Sequence, residues 1–323
     1  MKDKIFFLFP GQGAQYPGMG LDLLEQAQQY GAGEKVKHLF SLASEIFGKD
    51  MAQLIGGSSP EILKRTDISQ PAITLVNLAA MACLKAINIS PSGCAGFSLG
   101  EYSALAAAGV ISEEDCLFLV NKRGIAMQAA IDNIPPGPSA PGMAAVIGLA
   151  PEKVEALIAE WRNTGLTELN AANFNSPRQV VVSGSAAALE EAEKRFKEAG
   201  ARRFMRLEVA GPYHSPFMTE AAREFDAYLE KTEFKEPLIP IFSNVSGSLI
   251  NSGKEVKALA HRHILEGVRW TDEEAAISLL EPELLVEAGP GKVLQGLWKD
   301  TGSPIPCYGA GTIEEIKSLT EKI

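Results

Sequence analysis

Five residues, Gly96-Phe97-Ser98-Leu99-Gly100, constrain this chain more than any other stretch. They fit the G-x-S-x-G pattern of a nucleophile elbow, in which a serine sits on a sharp turn between a strand and a helix. The flanks agree with that context. Pro91 to Phe97 can end in a short strand, and Glu101 to Ala108 predicts a helix closed by Gly109 at its C′ position. The two glycines permit strained dihedrals and close packing, so the serine hydroxyl can stand exposed at the sheet edge. The helix N-terminus beneath it favours developing negative charge. A serine placed in this way predicts acyl transfer through a covalent ester. The pentapeptide is short, however, and also occurs in ordinary glycine-rich turns, so the rest of the chain has to support it.

At 323 residues the chain is long enough for one large domain and a smaller one. Residues Ile5 to Phe9 predict a buried first strand; the run is too short for a signal peptide and meets Pro10 and Gly11 with no small-residue cleavage site. Leu21 to Phe47 predicts helix with a break near Gly31 to Gly33, and Gln70 to Ile87 a strongly apolar buried helix. No apolar run is expected to reach membrane-spanning length. Ser112 is placed to cap a helix that carries Leu117, Leu119, Val120, Arg123 and Met127 and ends near Ile134. Pro135 to Gly142 is a linker by composition.

A different rhythm follows. Met143–Leu149 predicts a strand, Pro151–Trp161 a helix, Leu166–Ala171 and Gln179–Ser183 strands, Ser185–Ala199 an amphipathic helix and Arg202–Val209 a strand. That order, β-α-β-β-α-β, is ferredoxin-like. Strand-like Leu238–Val245, helical Val256–Leu265 and the strand Leu284–Ala288 then return to larger α/β material. The expected architecture is an α/β-hydrolase-like large domain, residues 1–141 and 210–323, with an inserted ferredoxin-like subdomain at 142–209 and a ligand cleft between them.

A serine nucleophile needs a base, and the chain has four histidines. His38 lies in a charged helical stretch and is expected to be solvated. His261 and His263 form an H-x-H pair that a helix would point to different faces, a poor metal site. His214 sits in Gly211-Pro212-Tyr213-His214-Ser215-Pro216, a rigid loop where the insert rejoins the large domain, and is the best candidate base. Arg123 is either a structural arginine or a guanidinium that takes a carboxylate with two parallel hydrogen bonds. The backbone N–H groups of Gln12 and Leu99 are candidate oxyanion donors. The four cysteines, Cys83, Cys94, Cys116 and Cys307, lack ligand spacing and are expected to be free thiols in a reducing cytosol. A formal charge of -10 argues against nucleic acid as the main partner.

Taken in order, these segments resemble the malonyl-CoA:acyl-carrier-protein transacylase family, which includes the acyltransferase domains of polyketide synthases. Phe9-Pro10-Gly11-Gln12-Gly13-Ala14-Gln15 matches the family's opening motif, and Asp67-Ile68-Ser69-Gln70-Pro71-Ala72 its Q-P-A segment. Phe97-Ser98-Leu99-Gly100-Glu101-Tyr102 matches H-S-L-G-E-Y except at its first residue. Arg123-Gly124-Ile125-Ala126-Met127-Gln128, Asn173-Phe174-Asn175-Ser176-Pro177, Gln179 to Gly184, Tyr213-His214-Ser215 and Glu287-Ala288-Gly289-Pro290-Gly291 match further motifs.

The resemblance implies that Ser98 carries a malonyl ester, that His214 is its general base and then general acid, and that Arg123 pairs with the malonyl carboxylate. It implies an oxyanion hole at Gln12 and Leu99, and Met127, Asn173, Asn175 and Tyr213 as further substrate-binding residues. It also implies a histidine oriented by a backbone carbonyl rather than by an acid. Two positions depart from the pattern: Phe97 stands where the family has histidine, and His263 where it has glutamine. The implied substrates are malonyl-CoA and the phosphopantetheine thiol of an acyl carrier protein, with no metal, no resident cofactor, no membrane and no nucleic acid. A cytoplasmic monomer in fatty-acid or polyketide biosynthesis is the matching expectation. Carrier proteins are acidic, so Lys194, Arg195, Lys197, Arg202, Arg203 and Arg206 are candidate docking residues, weighed against an ordinary solvated helix face. A serine esterase or thioesterase, and a non-enzymatic docking module, are the alternatives from the residues alone.

Overall fold

The computed structural model describes residues 4–135, 137–208 and 211–323. Its centre is a four-stranded parallel sheet of β1 (Ile5–Phe9), β2 (Gly93–Gly96), β9 (Leu284–Glu287) and β10 (Cys307–Gly309), in the spatial order β10-β9-β1-β2. All five residues of β1 are buried, as expected of a parallel strand covered on both faces. Alternation along it divides the core: Ile5, Phe7 and Phe9 join the larger apolar cluster with the long helices, while Phe6 and Leu8 pack on the other face with Phe242, Trp270 and Trp298.

The apolar helix spans Thr66–Ala86, longer at its start than the hydrophobic run suggested. Against the sequence expectation, it is long and apolar enough to cross a membrane by length and composition, but 94% of its apolar window is buried inside the protein. It is a core helix lying against the Ser112-capped helix Glu113–Asp132, whose cap bond from Asp115 N–H to Ser112 Oγ is 2.9 Å. Cys83, Cys94 and Cys116 are buried, Cys307 is half-buried, and all four are free.

The second body carries β3 (Gly142–Ile147), β4 (Leu169–Ser176), β5 (Gln179–Gly184) and β6 (Arg203–Arg206) in one antiparallel sheet ordered β4-β5-β3-β6, with helices Pro151–Asn163 and Ala186–Glu198. This is the expected ferredoxin-like order. It has its own core, in which Trp161, Phe196 and Leu189 pack with Val146, Val180 and Val182.

Several boundaries differ from the sequence reading, among them the helix expected at Val256–Leu265, which spans Gly253–Ala260. The strand expected at Leu166–Ala171 starts at Leu169 and continues to Ser176, through register shifts at Ala171/Asn173 and Phe174/Ser176. The strand expected at Arg202–Val209 covers only Arg203–Arg206, and Val209 lies outside the described residues. The strand-like run Leu238–Val245 shrinks to β7 (Phe242–Ser243), paired with β8 (Ser248–Leu249), because Pro237 and Pro240 interrupt any longer ladder.

The two bodies meet along one seam. Phe174 N–H donates to Val268 O at 2.8 Å and Val268 N–H to Ala172 O at 2.9 Å, so β4 of the small body hydrogen-bonds a loop of the large one. Gly267 permits the approach; a Cβ there would lie 2.6 Å from Ala171 O. The same loop supplies two carbonyls to the site described next.

Candidate active site

The site forms at the carboxyl ends of β1 and β2, where open parallel sheets place their ligands. Gly11 and Gln12 follow β1 and Phe97 and Ser98 follow β2, with Phe97 N–H donating to Phe9 O at 3.0 Å. The elbow is as tight as its glycines predict. A Cβ on Gly96 would sit 2.0 Å from Gly100 C, and one on Gly100 1.9 Å from Phe9 O. Ser98 itself has φ +49°, a left-handed conformation that costs a non-glycine residue of order 1 kcal/mol or more. The helix Gly100–Ala107 starts immediately after it, and Gly109 follows the C-cap Ala108 with φ +73°.

His214, 116 residues away, reaches the serine. Its Nε2 is 2.8 Å from Ser98 Oγ. Its Nδ1 lies 3.1 Å from His263 O and 2.9 Å from Glu266 O. Carbonyls only accept, so Nδ1 carries the proton and Nε2 is left as the acceptor for the serine hydroxyl. Among the described residues no carboxylate bonds this ring, and the contact at position 263 is made by the backbone carbonyl, which histidine and glutamine supply alike. Burial, reinforced by the Arg123 charge, pushes His214 down to about 4. It also holds φ +51°, so both members of the pair are strained.

The cleft around the pair is about 600 Å³ and is lined by every sequence-predicted site residue: Ser98, His214, Gln12, Leu99, Arg123, Met127, Asn173, Asn175 and Tyr213. Arg123 is 1% exposed, and its Nε and Nη2 have no protein partner. Its nearest described aromatic face is Tyr102, 5.7 Å from the guanidinium carbon. A buried, unpaired cation is unfavourable unless an anion completes it. The N–H groups of Gln12 and Leu99 have no acceptor among the described residues. They lie close together, since a Cβ on Gly11 would be 3.4 Å from Leu99 N. Tyr213 fixes the Gln12 loop: its hydroxyl accepts from Gln12 Nε2 at 3.0 Å and is 2.7 Å from Thr66 Oγ1.

Phe97, the other departure, packs edge-on against Trp270 with ring centroids 5.4 Å apart and lines the cleft. The H-x-H rings diverge as expected: His261 faces Asp226 and Glu230, while His263 turns inward and is 2% exposed. His38 is exposed. The basic cluster on the insert is divided. Lys194, Arg195 and Lys197 pair with Glu190, Glu191 and Glu193 one turn earlier, and Arg206 donates to Ala186 O. That is the pattern of a solvated helix face, and among the described residues it leaves Arg202, Arg203 and Arg206 as the candidates with no acidic partner.

Sequence reasoning missed what lies behind the elbow. Asn244 Oδ1 accepts the Ser98 N–H at 2.5 Å, and its Nδ2 donates to Gly96 O at 2.7 Å and Glu273 Oε1 at 2.8 Å. Glu101 Oε2 accepts the Asn244 N–H at 2.7 Å. Burial pushes Glu101 up to about 8 and Glu273 well above the usual carboxylate range. No local pattern marks Asn244, because every one of these bonds is long-range.

The sequence pattern of the acyl transferase domain family matches residues 6–317. The malonyl CoA-acyl carrier protein transacylase of Bacillus subtilis (strain 168) is 37% identical over 315 residues, covering 97% of this chain and 95% of that protein. Among solved structures, an acyl carrier protein S-malonyltransferase from Vibrio cholerae superposes with a TM-score of 0.88 at 36% identity, over 98% of this chain and 99% of that one. A malonyl-transacylase solved in complex with a type II polyketide synthase acyl-carrier protein, PlMCAT:AntF, gives 0.88 at 33% identity, over 99% of this chain and 100% of that one.

Proposed function

The chain belongs to the acyl transferase domain family, and from that premise we propose that it transfers a malonyl group from malonyl-CoA to the phosphopantetheine thiol of an acyl carrier protein, through an ester on Ser98. It is an acyltransferase, as its relatives are. The observation that carries the malonyl reading is Arg123: a buried guanidinium with open donors, in the same cleft as a serine already hydrogen-bonded to a histidine. A dicarboxylic half-ester presents the carboxylate that this cation lacks.

In the first half-reaction Ser98 Oγ attacks the thioester carbonyl as its proton passes to His214 Nε2. The carbonyl oxygen becomes an oxyanion beside the N–H groups of Gln12 and Leu99. The tetrahedral adduct then collapses, the C–S bond breaks, and His214 returns its proton to the departing coenzyme A sulfur. In the second half the carrier thiol gives its proton to His214 and attacks the ester carbonyl, and Ser98 leaves and recovers a proton. Atoms and charges balance on these groups alone, so no resident cofactor enters the scheme.

A base held near 4 is neutral throughout the physiological range and, once protonated, is a strong acid toward the leaving group. Proton transfer by His214 should contribute about 10²–10⁴-fold, and each oxyanion donor about 3–4 kcal/mol. Met127, Asn173, Asn175 and Tyr213 complete the walls of the acyl pocket. The proposal takes a monomer, which one chain holding every group of the scheme supports, meeting its CoA and carrier substrates in the cytoplasm. Fatty-acid and polyketide pathways share this chemistry, and carrier preference separates them.

The test is intact-protein mass spectrometry after mixing with malonyl-CoA, acetyl-CoA or methylmalonyl-CoA. The expected result is a malonyl adduct that needs Ser98, is lost in Ser98→Ala, and moves to added holo carrier protein. Accumulation of free malonate with no transfer would make the protein a thioesterase, and acylation of Ser98→Ala would remove the serine from its role.

A further inference from the structure

Every polar group of Asn244 is engaged although the residue is 1% exposed. Its N–H donates to Glu101 and its C=O accepts from Arg269 N–H at 2.8 Å. The side-chain amide donates to Gly96 O and Glu273. Its Oδ1 accepts from the Ser98 N–H and lies 3.4 Å from His263 Nε2, which is also 3.5 Å from Glu101 Oε2; facing two acceptor oxygens, Nε2 is the nitrogen placed to carry the proton and donate. The second bond matters because His263 is the residue whose carbonyl receives the His214 Nδ1 proton. The hydrogen bonds therefore close a ring, Ser98 N–H to Asn244, Asn244 to the His263 ring, His263 carbonyl to His214, and His214 to Ser98 Oγ.

We propose that Asn244 is a positioning residue for the reaction, joining the backbone of the nucleophile to the residue that orients its base so that the two stay in one register. Ser98 and His214 both occupy left-handed conformations and come from segments 116 residues apart, so neither is held by its own local structure. Asparagine suits the position because it offers an acceptor and a donor on one short planar group. Aspartate lacks the donors for Gly96 and Glu273, and an alanine leaves the Ser98 N–H unpaired. The argument rests on Ser98 and His214 being the reacting pair, as proposed above.

The experiment compares Asn244→Ala, His263→Phe and the double variant with wild type. His263→Phe keeps the carbonyl that His214 uses and removes the ring nitrogens, Nε2 with its contacts to Asn244 Oδ1 and Glu101 Oε2 and an Nδ1 that has no partner among the described residues. The first readout is the rate of Ser98 malonylation. The expected result for Asn244→Ala is a kcat lower by roughly 10²-fold, with KM for malonyl-CoA within about threefold because the Arg123 pocket is untouched. His263→Phe should lose about tenfold, and the double variant should be no worse than Asn244→Ala, as members of one unit behave. Multiplicative losses, a loss confined to KM, or a folded variant within twofold of wild type would overturn the proposal. If Asn244→Ala does not fold, His263→Phe decides alone: wild-type acylation by it breaks the ring.

A second readout, the rate at which a fluorophosphonate labels Ser98, needs no malonyl-CoA. Labelling slowed by these variants while wild type forms no malonyl adduct would uphold the ring and overturn only the substrate. Unslowed labelling would overturn the ring.

Discussion

The two bodies of this protein spend their interiors differently. Among its described residues the inserted antiparallel body buries Asn173, Ser176 and Ser183 but no ionisable side chain, and Lys194, Arg195 and Lys197 pair on its surface with acids one helical turn away. The parallel-sheet body buries Glu101, Arg123, His214, His263, Glu273, Glu274 and Glu287. Charged groups out of water are unfavourable unless paired, and Arg123 is not paired. One body is built for packing. The other tolerates strain and desolvation where its chemistry is proposed to occur, the usual arrangement at functional sites.

The largest expected effect tests the packing body. Phe196 is fully buried against Trp161 at 4.7 Å between ring centroids. Phe196→Ala should lower unfolding free energy by about 3–5 kcal/mol, measured by urea titration, while the folded fraction keeps its rate of serine acylation. Loss of acylation in folded protein would show that the two interiors are not separable.

Next comes the buried cation. Arg123→Met should reduce malonyl transfer by about 10²–10³-fold and raise acetyl relative to malonyl, yet leave the thermal midpoint unchanged or higher. A lower midpoint with an unchanged acyl preference would make Arg123 a structural residue.

A smaller effect follows from pH. His214 is held near 4, below its ordinary 6.5, so the unfolded chain takes its proton first and stability falls as pH drops from 6.5 toward 4. The acid limb of kcat/KM should accordingly lie near 4 rather than near 6.5. Glu101 and Glu274 are held near 8, above their ordinary 4.5. Their contribution is full below about 4.5 and is lost as pH climbs through 8. Between pH 6.5 and 9 the thermal midpoint of wild type should fall, and that of Glu101→Gln should fall less. Parallel curves would mean that Glu101 does not hold its proton. The smallest effect belongs to the helix face of the insert: Lys197→Ala breaks the pair with Glu193 and should change stability by no more than about 0.5 kcal/mol, less at high salt.

The sequence makes the elbow legible because its cause is local. Glycine at 96 and 100 is demanded by contacts within a few residues or with the adjacent strand. The insert is legible for a related reason, since its helices show a clear apolar stripe and its strands follow in a simple order. What the sequence hides is carried by distance. Asn244 lies 146 residues from Ser98, beside a two-residue strand, in a segment that apolar pattern alone suggested was longer. The run Asn170-Ala171-Ala172-Asn173-Phe174-Asn175 has poor strand propensity, yet it is strand, because β5 on one side and Val268 on the other supply its partners. His263 and Glu266 hold His214, the proposed base, through carbonyls, which no side-chain pattern can announce.

The order of the strands also sets a timetable for synthesis. β1 is made first but lies between β2 and β9, and β9 begins at Leu284. A growing chain that has exposed Ser98 still lacks His214, both carbonyls that hold it, Asn244 and one neighbour of its central strand. At roughly 5–20 residues per second, His214 follows on the order of six to twenty-five seconds after Ser98 and β9 ten to forty seconds after it. Until His214 arrives Ser98 has no histidine to take its proton, so under the proposed mechanism the nascent chain carries no activated serine. The compact insert, whose strands all fall between residues 142 and 206, can complete itself in the meantime and wait for the rest of the molecule to close around it.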